Sequence, residues 1–162
     1  MRKLQAMELH FVFVGKTAFP DIDQTVKRYL KKIRGFFPVS VHVVKEEKET
    51  RHRNPAEIMD KEAEKILKLV ERNGYIVSWD RTGKMITSEE YASLFRQWMD
   101  KGLKSLWMIV GGALGLSPVV LNLSNEVISL SPMTFPHDLV RAIIAEQTYR
   151  AISIINGIPY HK

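Results

Sequence analysis

A glycine-rich loop at residues 111–115 is the first segment whose residue types and spacing indicate a ligand site. Its sequence, GGALG, directly follows an apolar run at 105–110 that has the pattern of a buried strand. Glycine allows a backbone to approach a bound molecule closely or to adopt positive φ, and ligands of open parallel sheets bind beyond the carboxyl ends of the strands. The spacing matches neither the dinucleotide fingerprint nor a phosphate-binding P-loop. A tight structural turn is the alternative interpretation.

A second loop, at residues 130–137, follows another predicted strand and carries two prolines that stiffen its path. It mixes apolar side chains with hydroxyl groups. If it converges with the strand ends at Trp79 and Gly111, the three segments form a cleft apolar enough for a purine and a thioether. The alternative is an ordered connection that packs Met133 and Phe135 into the core.

Four polar side chains near the C terminus could bind a nucleic-acid base and transfer a proton. Glu146 and Arg150 are spaced i, i+4 on a predicted helix, and Tyr160 and His161 lie near the chain end. A surface ion pair and a frayed, solvated end are the simplest interpretation. An aromatic ring beside a histidine, near a helix that carries an arginine, would instead suit base stacking and proton transfer.

The composition excludes several other kinds of chemistry. The 162 residues contain no cysteine, which rules out disulfides, thiolate zinc sites, iron–sulfur clusters and a cysteine nucleophile. The five histidines show no metal-ligand spacing, so we predict no metal. No apolar run is long enough to span a membrane and no signal-peptide pattern is present, so we expect a cytoplasmic protein that does not bind membranes.

The positive charge is concentrated in the first half of the chain. The formal net charge is +6, and residues 1–75 carry 16 basic and 11 acidic side chains. A helix over 21–34 would place like charges at i, i+4, where they repel unless a polyanion compensates them. A solvated basic face explains this pattern as well as a nucleic-acid footprint does. The basic residues in question are Lys27, Arg28, Lys31, Lys32, Arg34, Arg51 and Arg53.

Strand-like and helix-like segments alternate along the chain, which predicts a single α/β domain with a mostly parallel sheet flanked by helices. Three details of this prediction concern local structure. Asp21 is expected to cap a helix, and residues 80–84 to form a turn. The last helix is expected to bury a stripe of Leu139, Ile143, Ala151 and Ile154. The predicted strands are 8–14, 39–44, 75–79, 105–110 and 126–130, and the predicted helices are about 21–34, 55–73, 88–102, a short one from 118, and about 138–155.

Three segments in chain order carry a family resemblance: SLWMIVGGALGLS (105–117), ISLSPMTFPHDLVRAIIAEQTYRA (128–151) and a closing PYHK. Together they resemble the SPOUT, or α/β-knot, methyltransferases. More narrowly, they are similar to the ribosomal RNA large subunit methyltransferase H family, which N3-methylates a pseudouridine in 23S rRNA. The resemblance starts at about Met7, so residues 1–6 are expected to be an extension of a single domain.

The resemblance implies a deep trefoil knot over about 105–162, S-adenosylmethionine as methyl donor, and a homodimer with a site built across its interface. Trp79 stands where the family usually has leucine, and Pro132 replaces a frequent lysine. The residues implied to hold the donor are Trp79, Gly111, Gly112, Gly115, Leu130, Ser131, Pro132, Met133, Thr134 and Phe135. Those implied to serve substrate binding or catalysis are His137, Glu146, Arg150, Tyr160 and His161.

In the mechanism that this resemblance implies, His161 or His137 removes the N3 proton of the acceptor base. Arg150, oriented by Glu146, balances the negative charge, and Tyr160 stacks on the base or hydrogen-bonds to it. The expected contacts to the rRNA backbone are Lys27, Arg28, Lys31, Lys32, Arg51 and Arg53. Two alternatives remain at this point: a flavodoxin-like nucleotide-binding enzyme, and a non-catalytic RNA-binding or ribosome-assembly factor.

Overall fold

The computed structural model describes residues 7–162, so the expected extension at residues 1–6 lies outside the described residues. Strands and helices alternate as predicted. The elements in chain order are β1 (Glu8–Val14), α1 (Pro20–Ile33), β2 (Val39–Val44), α2 (Pro55–Leu69), β3 (Tyr75–Met85), α3 (Ser88–Asp100), β4 (Ser105–Val110), α4 (Pro118–Leu123), β5 (Glu126–Ser129) and α5 (His137–Ile155).

The five described strands form one sheet in the order β2-β1-β4-β3-β5, and every neighbouring pair is parallel. The prediction of a mostly parallel α/β domain is therefore confirmed. Parallel pairing places all carboxyl ends at one edge of the sheet. Because β4, β3 and β5 are adjacent, the segments that follow Val110, Trp79 and Ser129 meet at that edge.

The sheet has a core on each face, because alternate side chains of a strand point to opposite sides. Phe11 of β1 packs in the larger core with helices α1, α3 and α5, whereas its neighbour Val12 packs in the smaller core with α2 and α4. β4 is buried along its whole length. This double coverage explains why the β1 and β4 sequences are continuous apolar runs.

Three predicted helix features are wrong. Helix α1 begins at Pro20 without a side-chain cap, so Asp21 lies in its first turn, where a carboxylate favours the helix dipole. Helix α2 ends at Leu69 rather than near residue 73, because Val70 already has extended backbone. Of the predicted stripe on α5, Ala151 is buried, while Leu139 is exposed.

Strand β3 continues through residues 80–85, where a turn was predicted. Its pairing with β5 changes register between Trp79 and Lys84. A Cβ atom on Gly83 would come within 2.6 Å of the backbone of Val127 and Ile128, so glycine is what allows this close approach. The extension directs Asp80 and the two residues after it along the edge where the strand ends meet.

The N terminus of α3 has the predicted capping box, in which Thr87 Oγ1 accepts from the Glu90 N–H and Glu90 accepts from the Thr87 N–H. We expect Thr87→Ala to lower the free energy of unfolding by about 1 kcal/mol, because it removes one of these bonds. Thr25→Ala on α1 is the matched control, expected to stay within about 0.5 kcal/mol of the parent. Urea unfolding measures both, and equal effects at the two positions would contradict the capping role.

Candidate active site

The ends of β3, β4 and β5 enclose a cleft of about 590 Å³. Trp79, where the pairing of β3 with β4 ends, and Gly111 and Leu130, which follow β4 and β5, all line it, so the predicted convergence is confirmed. Its walls are mostly apolar, with backbone groups of the two loops exposed between them. Further lining residues among the predicted donor contacts are Gly112, Gly115, Ser131, Met133, Thr134 and Phe135.

The glycine loop closes as a tight turn against its own backbone. The Gly115 N–H donates to the Gly112 carbonyl at 3.0 Å, and Gly115 has φ +84. A Cβ atom on Gly111 would lie 2.7 Å from the carbonyl carbon of Gly115, a contact that neither backbone can relieve by rotating a side chain. Gly111 therefore lets the loop fold back on itself, and the turn exposes its backbone to the cleft.

The loop over residues 130–137 is held by its serines. Ser129 Oγ donates to the Ser131 carbonyl at 3.0 Å, and the Met133 N–H donates to Ser131 Oγ at 3.0 Å. Met133 is 72% exposed, so the alternative in which it packs into the core is wrong. Phe135 is half-buried in the cleft wall, whereas Pro132 is exposed and does not line the cleft.

Trp79 forms the inner wall of the cleft. Its side chain packs edge-on against Tyr91, with ring centroids 5.4 Å apart, and the residue is 7% exposed. Its indole Nε1 is buried without a hydrogen-bond partner among residues 7–162.

Asp80, Arg81 and Thr82 also line the cleft, a position that their prediction as part of a turn did not include. Asp80 Oδ2 accepts from the Thr82 N–H at 2.9 Å and from Thr82 Oγ1 at 2.6 Å. These two bonds fix the carboxylate against the strand. The signal that could have placed these residues is Gly83, which is typical of a bulged strand as well as of a turn.

His137 lies at the first turn of α5 and lines the cleft, with its side chain 30% exposed. Its Nε2 is 3.3 Å from Oδ1 of the buried Asp138. That carboxylate oxygen has no hydrogen bond within the described residues. The geometry allows Asp138 to orient the imidazole.

A fully buried arginine fastens α5 to the segment after β1. Arg141 Nη2 donates to the Val14 carbonyl at 2.6 Å, and Nη1 donates to Thr17 Oγ1 at 3.0 Å. Asp138 Oδ2 accepts from the Ala18 N–H at 2.8 Å. Burial lowers the pKa of the Arg141 guanidinium, and the nearby Asp138 opposes that shift. Asp138 and Arg141 both lie within the 128–151 segment, but no role was predicted for either.

The C-terminal residues form a hydrogen-bonded cluster on α5. Arg150 donates to Glu146 Oε1 from Nη2 at 2.6 Å and from Nε at 3.0 Å. Tyr160 OH donates to the same oxygen at 2.9 Å. The bonds to Glu146 raise the pKa of Arg150. Burial, with hydrogen bonds to Tyr29 and Glu146, raises the pKa of the Tyr160 hydroxyl, so it remains a neutral group. The chain end is thus ordered, contrary to the simplest interpretation.

His161 completes this cluster. Its Nδ1 is 3.1 Å from Arg150 Nη1, and its Nε2 is 2.9 Å from Glu89 Oε1. A guanidinium can only donate, so Nδ1 accepts, and the ring proton of neutral His161 is on Nε2, which donates to Glu89. Hydrogen bonds from the Glu89 backbone N–H and from His161 lower the pKa of the Glu89 carboxyl.

Helix α1 contributes to the same cluster through aromatic contacts. The Tyr29 and Tyr160 hydroxyls are 3.2 Å apart. Lys32 Nζ lies 5.0 Å from the ring centroid of Tyr149 and 5.7 Å from that of Tyr160. Lys32, which was predicted to contact the RNA backbone, therefore makes cation–π contacts to Tyr149 on α5 and to Tyr160 near the chain end.

Within one chain, the C-terminal cluster and the cleft are neighbours that do not merge. Glu146, Arg150, Tyr160 and His161 do not line the cleft. A smaller hollow of about 260 Å³ shares Trp79, Leu130 and Phe135 with it and extends to Ser88 and Gln147. Ser88 Oγ donates to Gln147 Oε1 at 2.7 Å, and Gln147 Nε2 donates to Glu146 Oε2 at 2.7 Å. A chain of hydrogen bonds thus links this hollow to the cluster.

The predicted RNA-contacting residues differ in whether an acidic side chain of the same chain already pairs with their charge. Lys27 pairs with Asp23 at 2.6 Å, and Arg53 pairs with Glu47 at 2.8 Å. Lys31 is exposed and has no ion pair with any residue from 7 to 162. Lys31 and Arg51, which is likewise exposed and has no ion pair among residues 7–162, are therefore better placed than Lys27 and Arg53 to meet an external anion.

Neither a metal centre nor a membrane span is found in the described part of the chain. No group of three His, Asp or Glu side chains among residues 7–162 is arranged to hold a metal ion. None of the described helices is both long enough and apolar enough to cross a membrane.

Comparison with known proteins identifies relatives over nearly the whole chain. The family described as predicted SPOUT methyltransferases matches residues 7–161. A protein of Syntrophobacter fumaroxidans named ribosomal RNA large subunit methyltransferase H is 45% identical, covering 96% of this chain and 100% of the relative. A protein of the same name from Halothermothrix orenii is 38% identical over the same shares.

Solved structures share the fold at much lower identity. A probable methyltransferase from Bordetella pertussis superposes with a TM-score of 0.54 at 13% identity, covering 93% of this chain and 96% of the other. A putative methylase family protein from Neisseria gonorrhoeae gives 0.55 at 9% identity, covering 99% and 98%. With the cleft at its strand ends and these relatives, the chain belongs to the SPOUT methyltransferase family and, within it, to the group of ribosomal RNA large subunit methyltransferases H.

Proposed function

We propose that this methyltransferase uses S-adenosylmethionine to methylate N3 of a pseudouridine in the 23S rRNA of the large ribosomal subunit. The relatives named ribosomal RNA large subunit methyltransferase H, which the chain matches over nearly its full length, support an rRNA substrate. The observation that carries the proposal is the cleft that the glycine loop and the 130–137 loop build beside Trp79.

Two features of the cleft fit an adenosyl group. The glycines of the turn, Gly111, Gly112 and Gly115, line the cleft with backbone alone, so a ligand can contact that backbone directly. Leu130, Met133 and Phe135 supply apolar surface for a purine and a thioether. The bound donor supplies a methyl group attached to a sulfonium. When that methyl group is transferred, the leaving group is a neutral thioether.

The task of the chain's own residues is then to align the acceptor, exclude water and remove a proton. N3 of a uracil-type ring carries a proton that must leave as the methyl group arrives. His137 is placed to accept it, because it lines the cleft beside the Asp138 carboxylate. In the cluster, His161 Nδ1 already faces Arg150, so it accepts a proton only after that contact breaks.

The C-terminal cluster suits the acceptor base. Arg150, held at two points by Glu146, presents a fixed positive charge that balances negative charge on the ring oxygens. Tyr160 provides an aromatic face and a hydroxyl that stays neutral. His161 holds the C-terminal residues against α3 through its contact with Glu89.

We further propose that the protein acts as a homodimer in which the cluster of one chain faces the cleft of the other. The separation of the two groups within a single chain supports this arrangement, because the methyl donor and the acceptor base must meet. The family resemblance also predicts that the segment over about 105–162 is threaded as a trefoil knot, an exception to the rule that chains do not thread loops.

Lys31 and Lys32 are adjacent, but we expect them to differ in role. Lys31→Ala removes a free cation, so it should weaken binding to ribosomal RNA and lower the slope of log affinity against log salt by about one unit. Lys32→Ala breaks the cation–π contacts to Tyr149 and Tyr160, so it should reduce turnover about twofold to fivefold with the salt slope unchanged. Filter binding at several salt concentrations and single-turnover assays measure these effects. Identical salt slopes for the two variants would contradict the assignment.

Transfer of labelled methyl groups tests the proposed function. Purified protein with labelled S-adenosylmethionine should modify large subunits or ribosomes that lack the modification, and calorimetry should show donor binding. Binding of ATP or a flavin in preference to S-adenosylmethionine would favour the flavodoxin-like alternative. Binding of rRNA without any methyl transfer would favour a non-catalytic assembly factor.

A further inference from the structure

The cleft contains a carboxylate that the proposed mechanism does not use. Among its lining residues between 7 and 162, Asp80 is the only acid. It forms no ion pair with the described residues, and Thr82 engages one of its oxygens, Oδ2. The other oxygen, Oδ1, lies 3.7 Å from the position that a Cβ atom on Gly115 would occupy. The free oxygen therefore faces the glycine turn.

From this geometry we propose that Asp80 is a specificity-determining residue that makes the cleft prefer a positively charged adenosyl donor to its neutral thioether product. The inference rests on the proposed function. The donor carries a sulfonium and an ammonium against one carboxylate, a net charge of +1. Loss of the methyl group leaves the sulfur neutral, and the product has no net charge. A fixed carboxylate attracts the cationic donor and has little electrostatic attraction for the neutral product.

The surroundings of Asp80 preserve this preference. Arg81 also lines the cleft, but it is exposed, where solvent screens its charge. His137, the other ionisable lining residue, is next to Asp138, which offsets its charge when it is protonated. The two bonds from Thr82 hold the Asp80 carboxylate in place, so it does not have to be ordered again at each turnover. Weaker attraction for the neutral product would speed its release.

Isothermal titration calorimetry of the full-length protein tests this inference with three probes: S-adenosylmethionine, S-adenosylhomocysteine and sinefungin, which replaces the sulfonium by a protonated amine. We expect Asp80→Asn to raise the Kd for both cationic probes about fivefold to tenfold. The Kd for S-adenosylhomocysteine should change by less than about twofold. Asparagine can still accept the Thr82 hydrogen bonds, so the strand is retained. Asp100→Asn, on the exposed end of α3, makes the same change in net charge and should leave all three constants unaltered.

The unaltered protein provides a second measurement. Added salt should weaken S-adenosylmethionine binding relative to S-adenosylhomocysteine, because it screens the attraction. An equal effect of Asp80→Asn on cationic and neutral probes, or a ratio of their Kd values that salt does not change, would overturn the inference. If the unaltered protein binds neither S-adenosylmethionine nor S-adenosylhomocysteine, the proposed function itself fails.

Discussion

Arg150→Ala is expected to lower kcat for methyl transfer by about 10²- to 10³-fold while leaving the Kd for S-adenosylmethionine nearly unchanged. The guanidinium contacts both Glu146 and His161, so its loss removes a fixed positive charge and frees two partners at once. Because Arg150 does not line the cleft, donor binding should not depend on it. Single-turnover transfer to ribosomes and calorimetry with the donor measure the two quantities.

Two controls separate a chemical role for Arg150 from a general loss of charge or of structure. Arg150→Lys keeps the charge but cannot reproduce the two parallel bonds to Glu146, so it should recover only part of the rate. Arg72→Ala removes an exposed cation that follows α2 and should leave kcat as it was. Normal turnover by Arg150→Ala, or a donor Kd that rises in step with the loss of rate, would refute its assignment to the acceptor.

Gly111→Ala is expected to weaken donor binding by about a hundredfold, with methyl transfer falling accordingly at limiting donor concentrations. The added Cβ atom would lie 2.7 Å from the Gly115 carbonyl carbon, so the turn must open to accommodate it. Opening the turn removes the backbone surface that the glycine loop presents to the cleft. Calorimetric titration with S-adenosylmethionine measures the change.

Gly112→Ala is the matched control within the same loop. A Cβ atom there would meet Val14 Cγ1 at 3.2 Å, a milder contact than the 2.7 Å one at Gly111 and one that does not involve the turn's own backbone. We expect its effect on the donor Kd to be no more than a few-fold. If both variants bind the donor equally well, the tight turn at Gly111 does not contribute to binding of the adenosyl group.

The sequence was sufficient to predict the elements whose pattern is local and repeated. The apolar runs of β1 and β4 predict buried parallel strands, and Thr87 with Glu90 predicts the capping box. The convergence of Trp79 and the two loops followed from the rule that parallel strands end at one edge. The first two predictions succeeded because they depend on local patterns, and the third because the rule on strand ends holds for any parallel sheet.

The features that the sequence did not predict depend on partners far away along the chain. Residues 80–85 have turn-like composition, yet pairing with β5 extends β3 through them. Arg141 is buried on α5, where it donates a hydrogen bond to the Val14 carbonyl, 127 residues earlier in the chain. The contact of His161 with Glu89 joins residues 72 positions apart. Hydropathy patterns carry no information on such pairs, so the actual buried face of α5 was missed.

Mass spectrometry of 23S rRNA from cells that lack this protein tests its proposed activity most directly. We expect one pseudouridine to be without its N3-methyl group, and purified protein with S-adenosylmethionine to restore that group on isolated ribosomes. Ribosomal RNA with an unchanged set of methylated nucleotides in those cells, together with no transfer by the purified protein, would contradict the account.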